Sequence, residues 1–261
     1  MLNTFYVDEL RYVIQGEDFH INDFIVIHNP TVREVSEYGE FKFAQLLNLL
    51  TRRPYDVAVE LDDIKLNYQK LTDWDLFVDD PLDDGIRHVP KENTSIFFGN
   101  IDFTNMIPIT SEDGTKRLVL SDNPMVVIDQ SIFTYITKYL RHLYFIDEKV
   151  EFDAGNEQMR RALLDKMRRK QKKLVRDYQN GKVKMQSNLS NMIHYCCNHS
   201  EFCYNYAEVM DIKLGLLYAS YYYIQYSNER EHIVDGMYHG TIDVGKMKDK
   251  SVLNAVPDLH K

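Results

Sequence analysis

Cysteine is scarce in this 261-residue chain, and the three present, Cys196, Cys197 and Cys203, crowd into one short stretch. An odd, clustered set is no disulfide framework and suits a reducing compartment. Long apolar runs are also missing. The longest nearly apolar stretch, Leu214 to Ile224, is too short and too rich in Tyr to cross a bilayer. Met1 to Leu10 has neither a basic start nor an apolar core, so no secretory signal is expected. The sequons at Asn93, Asn188 and Asn198 are accordingly read as chance matches. Neither a nucleophile elbow, a phosphate loop, a dinucleotide fingerprint nor a paired-His metalloprotease pattern occurs. Internal repeats and low-complexity linkers are absent too. The expectation is a binding or assembly protein rather than an enzyme, with no catalytic residue, cofactor or membrane contact.

What is present can build a core. Hydrophobic residues make up 44% of the chain and aromatics 12%, which excludes a wholly disordered protein. The aromatics are mostly Tyr, suited to half-buried surfaces because one end is apolar and the other hydrogen-bonds.

Local patterns predict an α+β fold: a small antiparallel β region with helices, followed by a predominantly helical C-terminal half. Leu10 to Ile14 and His20 to His28 read as strands joined by the turn Gln15-Gly16-Glu17-Asp18. Thr31-Val32-Arg33-Glu34 is a capping box, opening a helix with Val32, Val35, Phe43, Leu46, Leu47 and Leu50 on one face and Arg52-Arg53-Pro54 at its end. A shorter helical piece is expected over 54–61. Ser95 to Phe98 reads as a strand, as do Asn105 to Thr110 and Lys116 to Leu120, the last two around the hairpin signal Glu112-Asp113-Gly114. Asn123-Pro124 reads as a helix start, with Ile128, Ile132, Tyr135, Ile136, Tyr139, Leu140 and Leu143 as its buried stripe. Helices are then expected from Asn156 to Asn180-Gly181, from Leu189 to Cys197 and from Tyr206 to Tyr238, the last ended by Gly240, with an irregular tail. These elements divide into a β-rich region, 1–122, and a helical region, 123–261, which can also form one continuous domain.

Two clusters carry metal-ligand chemistry in principle. His194, Cys196, Cys197, His199 and Cys203 are soft ligands, but zinc sites use separated ligand pairs and no second half exists, so no metal is expected. Asp73, Asp75, Asp79, Asp80, Asp83 and Asp84 form an acidic run, but counted from Asp80 the alternating oxygen ligands of a calcium loop are not filled. The run reads as a solvated acidic loop.

Charge distribution gives the sharpest candidate. Between Arg160 and Lys184, eleven Lys or Arg stand against Asp165 and Asp177, giving +9 within a chain of net charge −9. Met159, Leu163, Met167, Leu174 and Tyr178 make a thin apolar stripe beside them. Arg160, Arg161, Lys166, Arg168, Arg169, Lys170, Lys172, Lys173 and Arg176 are therefore expected to face outward, toward phosphate or an acidic protein surface. The acidic remainder of the chain favours a protein partner or self-association over nucleic acid, and the acidic stretch 73–84 of another subunit is a candidate. The blander reading is a solvated helix face that offsets the acidic body.

Three stretches point to a family. They are Ile25-Val26-Ile27-His28-Asn29-Pro30-Thr31-Val32-Arg33-Glu34-Val35-Ser36-Glu37-Tyr38-Gly39-Glu40, then Leu71-Thr72-Asp73-Trp74-Asp75-Leu76-Phe77, then Gly236-Met237-Tyr238-His239-Gly240-Thr241-Ile242-Asp243. Phe98-Gly99-Asn100-Ile101-Asp102-Phe103 and the Asp113-Gly114 hairpin fit between them. Together they resemble tail-assembly chaperone-like proteins from tail-gene regions of phages and prophages of Gram-positive bacteria. The chain departs from that pattern at its three cysteines and after Phe77, where the pattern continues as an apolar helix. The resemblance carries no catalytic residue. It implies a non-enzymatic protein of the host cytoplasm that binds the tape-measure protein, or another tail protein, during tail morphogenesis. The alternatives are a structural component of the virion tail or neck, and a nucleic-acid-binding or host-regulating phage protein acting through 160–184.

Overall fold

A computed structural model describes residues 7–82, 85–112, 114–146, 154–182, 187–247 and 250–254. Nine α-helices and five strands occur among them, in the α+β arrangement expected. A short hairpin, β1 (Phe19–His20) and β2 (Val26–Ile27), precedes α1 (Val32–Tyr38) and α2 (Glu40–Thr51). Next come α3 (Ala58–Asp63), α4 (Asp73–Val78) and α5 (Lys91–Phe98). The antiparallel sheet β3 (Met106–Thr110), β4 (Lys116–Leu120) and β5 (Asn123–Ile128) has the strand order of the sequence. The helices α6 (Gln130–Leu143), α7 (Glu157–Gln179), α8 (Asn188–Cys197) and α9 (Leu214–Tyr238) complete the fold.

Local chemistry accounts for the helix ends. The Thr31 hydroxyl accepts from the Glu34 amide while the Glu34 carboxylate accepts from the Thr31 amide, so the capping box forms. Gly39 then takes φ +103°, a conformation that favours glycine, and splits the long helix read from sequence into α1 and α2. All six residues of the expected stripe are nonetheless buried. Thr72 and Asp75 build a second capping box at α4.

Four local expectations are corrected. Leu10–Ile14 is a π-helical turn, not a strand: the adjacent Tyr12 and Val13 both pack on the core while Leu10 and Ile14 are exposed, which is not the alternation of a strand. Ser95 to Phe98 belongs to α5, because Pro90 starts a helix that runs through Ile96, Phe97 and Phe98, all buried. Asn123-Pro124 opens β5 rather than a helix. Pairing with β4 holds it extended, and the cap of α6 is Asp129, which accepts from the Ile132 amide. Its buried stripe includes Phe133, while Tyr135 is exposed. Finally, the long C-terminal helix begins at Leu214, after a short turn at Glu208–Met210.

The acidic run is not a solvated loop either. Asp73 pairs with Arg141 at 2.9 Å, and Asp75 is a capping residue. Asp79 pairs with Arg87 at 2.8 Å and Lys116 at 3.0 Å, and Asp80 is buried against Arg52. A carboxylate leaves water only when cations and amides replace its hydration, and four separate segments supply them. Asp83 and Asp84 lie outside the described residues.

One large apolar cluster runs from Val7 to Ile224 and joins β2, α2, α5, α6 and α9. Within it the Phe77 and Phe133 rings lie 4.5 Å apart, tying α4 to α6. A smaller cluster of Ala58, Val59, Leu61, Tyr68, Leu76 and Leu164 holds α7 against α3.

The first and last of the stretches that carry the resemblance are structural joints. His28 donates its amide to Phe97, and its ring lies 3.0 Å from Asp18 and 3.2 Å from Glu34. Residues 30 and 32 exchange backbone hydrogen bonds with 212 and 214, the Lys213 ammonium donates to the Asn29 carbonyl, and Arg33 pairs with Asp211. This seam fixes the start of α9 against the start of α1. At the other end of α9, Gly240 takes φ +71° and the amides of Thr241 and Ile242 turn back onto the Gly236 carbonyl. A Cβ at Gly236 would lie 2.6 Å from the Ile242 side chain, which packs directly over this glycine in the fold-back.

Candidate interaction face

The helix α7 is built to stand by itself. The Asn156 side chain accepts from the Met159 amide, Glu157 sits in the positive first turn, and Gly181 with φ +66° ends it. Glu157 also receives Arg160 at 2.8 Å and Arg161 at 2.9 Å, the spacings at which helix side chains meet. Those two guanidiniums pull its carboxyl down to about 2.

Its contact with the rest of the molecule is narrow. Leu164 is its single buried residue, and Met167 packs partly beside it on the α3 cluster. Around that contact Asp62 accepts from Arg168 at 2.8 Å and Arg160 at 3.0 Å. Arg168 also reaches Asp63 at 2.7 Å, and Gln171 donates to Glu60 at 3.0 Å. Arg168, and after it Arg160, hold the Asp62 carboxyl below the usual carboxylate range by hydrogen bonding and charge, against the opposing effect of burial.

The nine cations expected to face outward therefore divide. Arg160 and Arg168 are partly buried in the α3 lock, and Arg161 lies on Glu157. Lys166, Arg169, Lys170, Lys172, Lys173 and Arg176 are exposed and make no ion pair among the described residues. At 3.6 residues per turn, positions 164, 167, 171, 174, 175 and 178 share one arc of the helix. The body covers that arc only as far as Gln171. Beyond it Leu174, Val175 and Tyr178 are 55%, 56% and 54% exposed. Lys170 and Asp177 border this stripe on one side and Lys172 on the other, with Arg176 and Lys173 farther round the helix.

Sequence reasoning placed the stripe on Met159, Leu163, Met167, Leu174 and Tyr178 and missed Leu164 and Val175. The spacing Arg160, Leu164, Met167, Arg168, Gln171 carried the signal, opposite the acidic triplet Glu60, Asp62, Asp63.

The Cys/His segment lies apart from this face. Cys196 is buried, and burial raises its thiol to about 11, as for an inert core cysteine. His194 meets the Tyr206 hydroxyl and His199 the Asn228 carboxamide. Among the described residues no group of three or more His, Cys, Asp or Glu is placed to hold a metal ion. Nor is any helix long and apolar enough to cross a membrane.

Residues 179–253 match the family model described as YomV second domain. That family is phage-derived, of the Bacillus prophage type, and the chain is phage-related. The match takes in α8 and α9, with the fold-back at Gly236 and Gly240, and begins at the last residue of α7. No curated protein and no solved structure matches the chain.

Proposed function

We propose that this phage-related chain is a non-enzymatic tail-assembly protein that acts in the host cytoplasm. It binds a helical segment of the tape-measure protein, or of another tail protein, along the distal half of α7. The observation that carries the reading is the exposed stripe Leu174, Val175 and Tyr178, with Lys170 at one border and Lys172 at the other. An apolar stripe with charged borders is the pattern of a helix that lies against another helix. The cationic borders select a partner whose own apolar seam has acidic flanks, and they disfavour pairing of two α7 helices. Covering such a seam keeps a long assembly protein from aggregating before the tube forms around it. The family resemblance of the three stretches noted in the sequence supports the same role.

The test is co-expression with the tape-measure protein of the same phage, followed by co-purification and mass spectrometry of finished particles. The expected result is a complex that is lost on charge reversal of Lys172, Lys173 and Arg176, with the chain absent from particles. Stoichiometric copies in the particle would instead make it a structural component of the tail or neck. The exposed arc from Lys166 to Arg176 favours one further reading, contact with nucleic acid. Tight DNA or RNA binding that falls steeply with salt, abolished by the same reversals, would establish that in place of the protein partner.

A further inference from the structure

The outer face of the three-stranded sheet is apolar, and no described element covers it. Strand alternation turns Met106, Leu118, Leu120, Val126 and Ile128 into the core. It turns Ile107, Ile109, Val119, Met125 and Val127 the other way. Ile107, Ile109 and Met125 are 53%, 42% and 64% exposed. The register sets Ile107, Val119 and Val127 side by side across all three strands. Both edge strands carry a proline, Pro108 in β3 and Pro124 in β5, which cannot donate to a further strand. The sheet is therefore guarded against edge-on addition and open on its face.

We infer that this face binds a second copy of the same chain by stacking sheet on sheet about a two-fold axis that crosses the strands. Charge selects the occupant and the orientation. Arg117, paired with Ile109 at the hairpin end of the face, is exposed, and so is Asp122 in the turn at the opposite end. A two-fold axis across the strands, passing midway between positions 119 and 120 of β4, lays β4 antiparallel on its counterpart. Arg117 of each copy then faces Asp122 of the other, twice, with the apolar row between them. A two-fold axis along the strands would instead set Arg117 on Arg117. Lys116, on the inward side of the same strand, is already held by Asp79, and Glu112 belongs to the loop beyond the strands. Such a pairing is isologous and closed, with the aligned geometry of stacked sheets. Three strands of five or so residues offer a footprint of roughly 15 by 17 Å. That is well below the roughly 800 Å² per partner of a stable complex, so the dimer is weak and concentration-dependent.

Sedimentation of the full chain from low to high micromolar concentration tests this, with circular dichroism confirming each variant's fold. The expected result is a reversible monomer–dimer equilibrium. Arg117→Asp or Asp122→Arg alone should raise the dimer dissociation constant at least tenfold, and the two together should restore it. Charge reversal of Lys172, Lys173 and Arg176 on α7 should leave it unchanged, which separates this surface from the one proposed for the tail partner. Met125 should be oxidised more slowly as concentration rises. A monomer at every concentration, or slow Met125 oxidation already in the dilute monomer, would overturn the inference, the latter by showing the face covered within one chain. Single reversals without effect, or a double variant that stays monomeric, would overturn the two-fold orientation.

Discussion

Asp80 has a fully buried side chain against Arg52, whereas Lys172 on α7 stands in water with no acidic neighbour among the described residues. The acidic run and the basic run that contain them are both dense in one sign of charge, and the fold uses them in opposite ways. Residues 73–80 lie on one short helix and the turn after it. Arg52, Arg87, Lys116 and Arg141 reach them from the end of α2, the stretch before α5, β4 and α6. The basic helix is about 35 Å long at 1.5 Å per residue, while α3, the element it lies on, is about 9 Å long. A rod held at so short a contact can neutralise only the charges beside that contact. The acidic run is therefore part of the structure, and most of the basic run is left available to a partner.

The largest effect that could break this comparison is expected inside the acidic run. Asp80→Ala leaves Arg52 in a buried site without its carboxylate and should cost about 3–5 kcal/mol. Urea denaturation followed by far-ultraviolet circular dichroism measures it. A loss below about 1 kcal/mol, the range of exposed pairs, would show the pair to be solvated and return the run to the surface.

Next in size is the contact that anchors α7. Leu164→Ala removes the one buried side chain of that helix and should cost about 2–4 kcal/mol. Leu174→Ala, an identical change ten residues on, should cost little because its side chain is already half in water. Equal losses at the two positions would mean that the distal half is covered in solution.

A smaller, pH-dependent effect sharpens the boundary between the two halves of α7. The folded carboxyl of Asp62 lies below its ordinary value of 3.8. A depressed value means that its stabilisation is complete above pH 3.8 and disappears as pH falls through the lower, folded value. Stability measured from pH 6 to pH 2 should fall more in the wild type than in Asp62→Asn, with the difference opening below about pH 4. Parallel curves would show that Arg160 and Arg168 do not hold Asp62 in solution.

What could be read in advance was local. The Thr31–Glu34 capping box, the stop at Gly181 and the hairpin of β3 and β4 depend on residues within a few positions of one another. The α+β class follows from the same signals. The expectations that failed were decided at a distance. Asn123-Pro124 has the local chemistry of a helix start, but β4 holds it extended. The aspartates of 73–80 resemble a solvated loop because their cations come from elsewhere in the chain. Likewise the charge of α7 was legible and its division was not, since Arg160 and Arg168 meet an aspartate 98 and 106 positions earlier.

The smallest expected effect on stability belongs to the exposed cations, and it bears most directly on function. A test on Arg168, Arg169 and Lys172 would mix two roles, because Arg168 holds Asp62 and Asp63 while the other two make no ion pair among the described residues. Lys172, Lys173 and Arg176 form a cleaner set beyond the α3 contact. Reversing each to Glu should change stability by no more than about 0.5 kcal/mol, as for surface substitutions generally. The triple change should even help the isolated chain slightly, since like charges three or four positions apart on a helix repel. Binding of the tail partner should weaken at least tenfold, more at low salt than at high salt, because screening weakens exposed charge contacts. Arg168→Glu should do the reverse, costing about 1 kcal/mol or more in stability by setting a third carboxylate beside Asp62 and Asp63, with a lesser effect on the partner. Thermal melts and a binding titration on the two variants separate the roles. Loss of fold in the triple variant, or undiminished partner binding by it, would sink the assignment of the distal half of α7 to recognition.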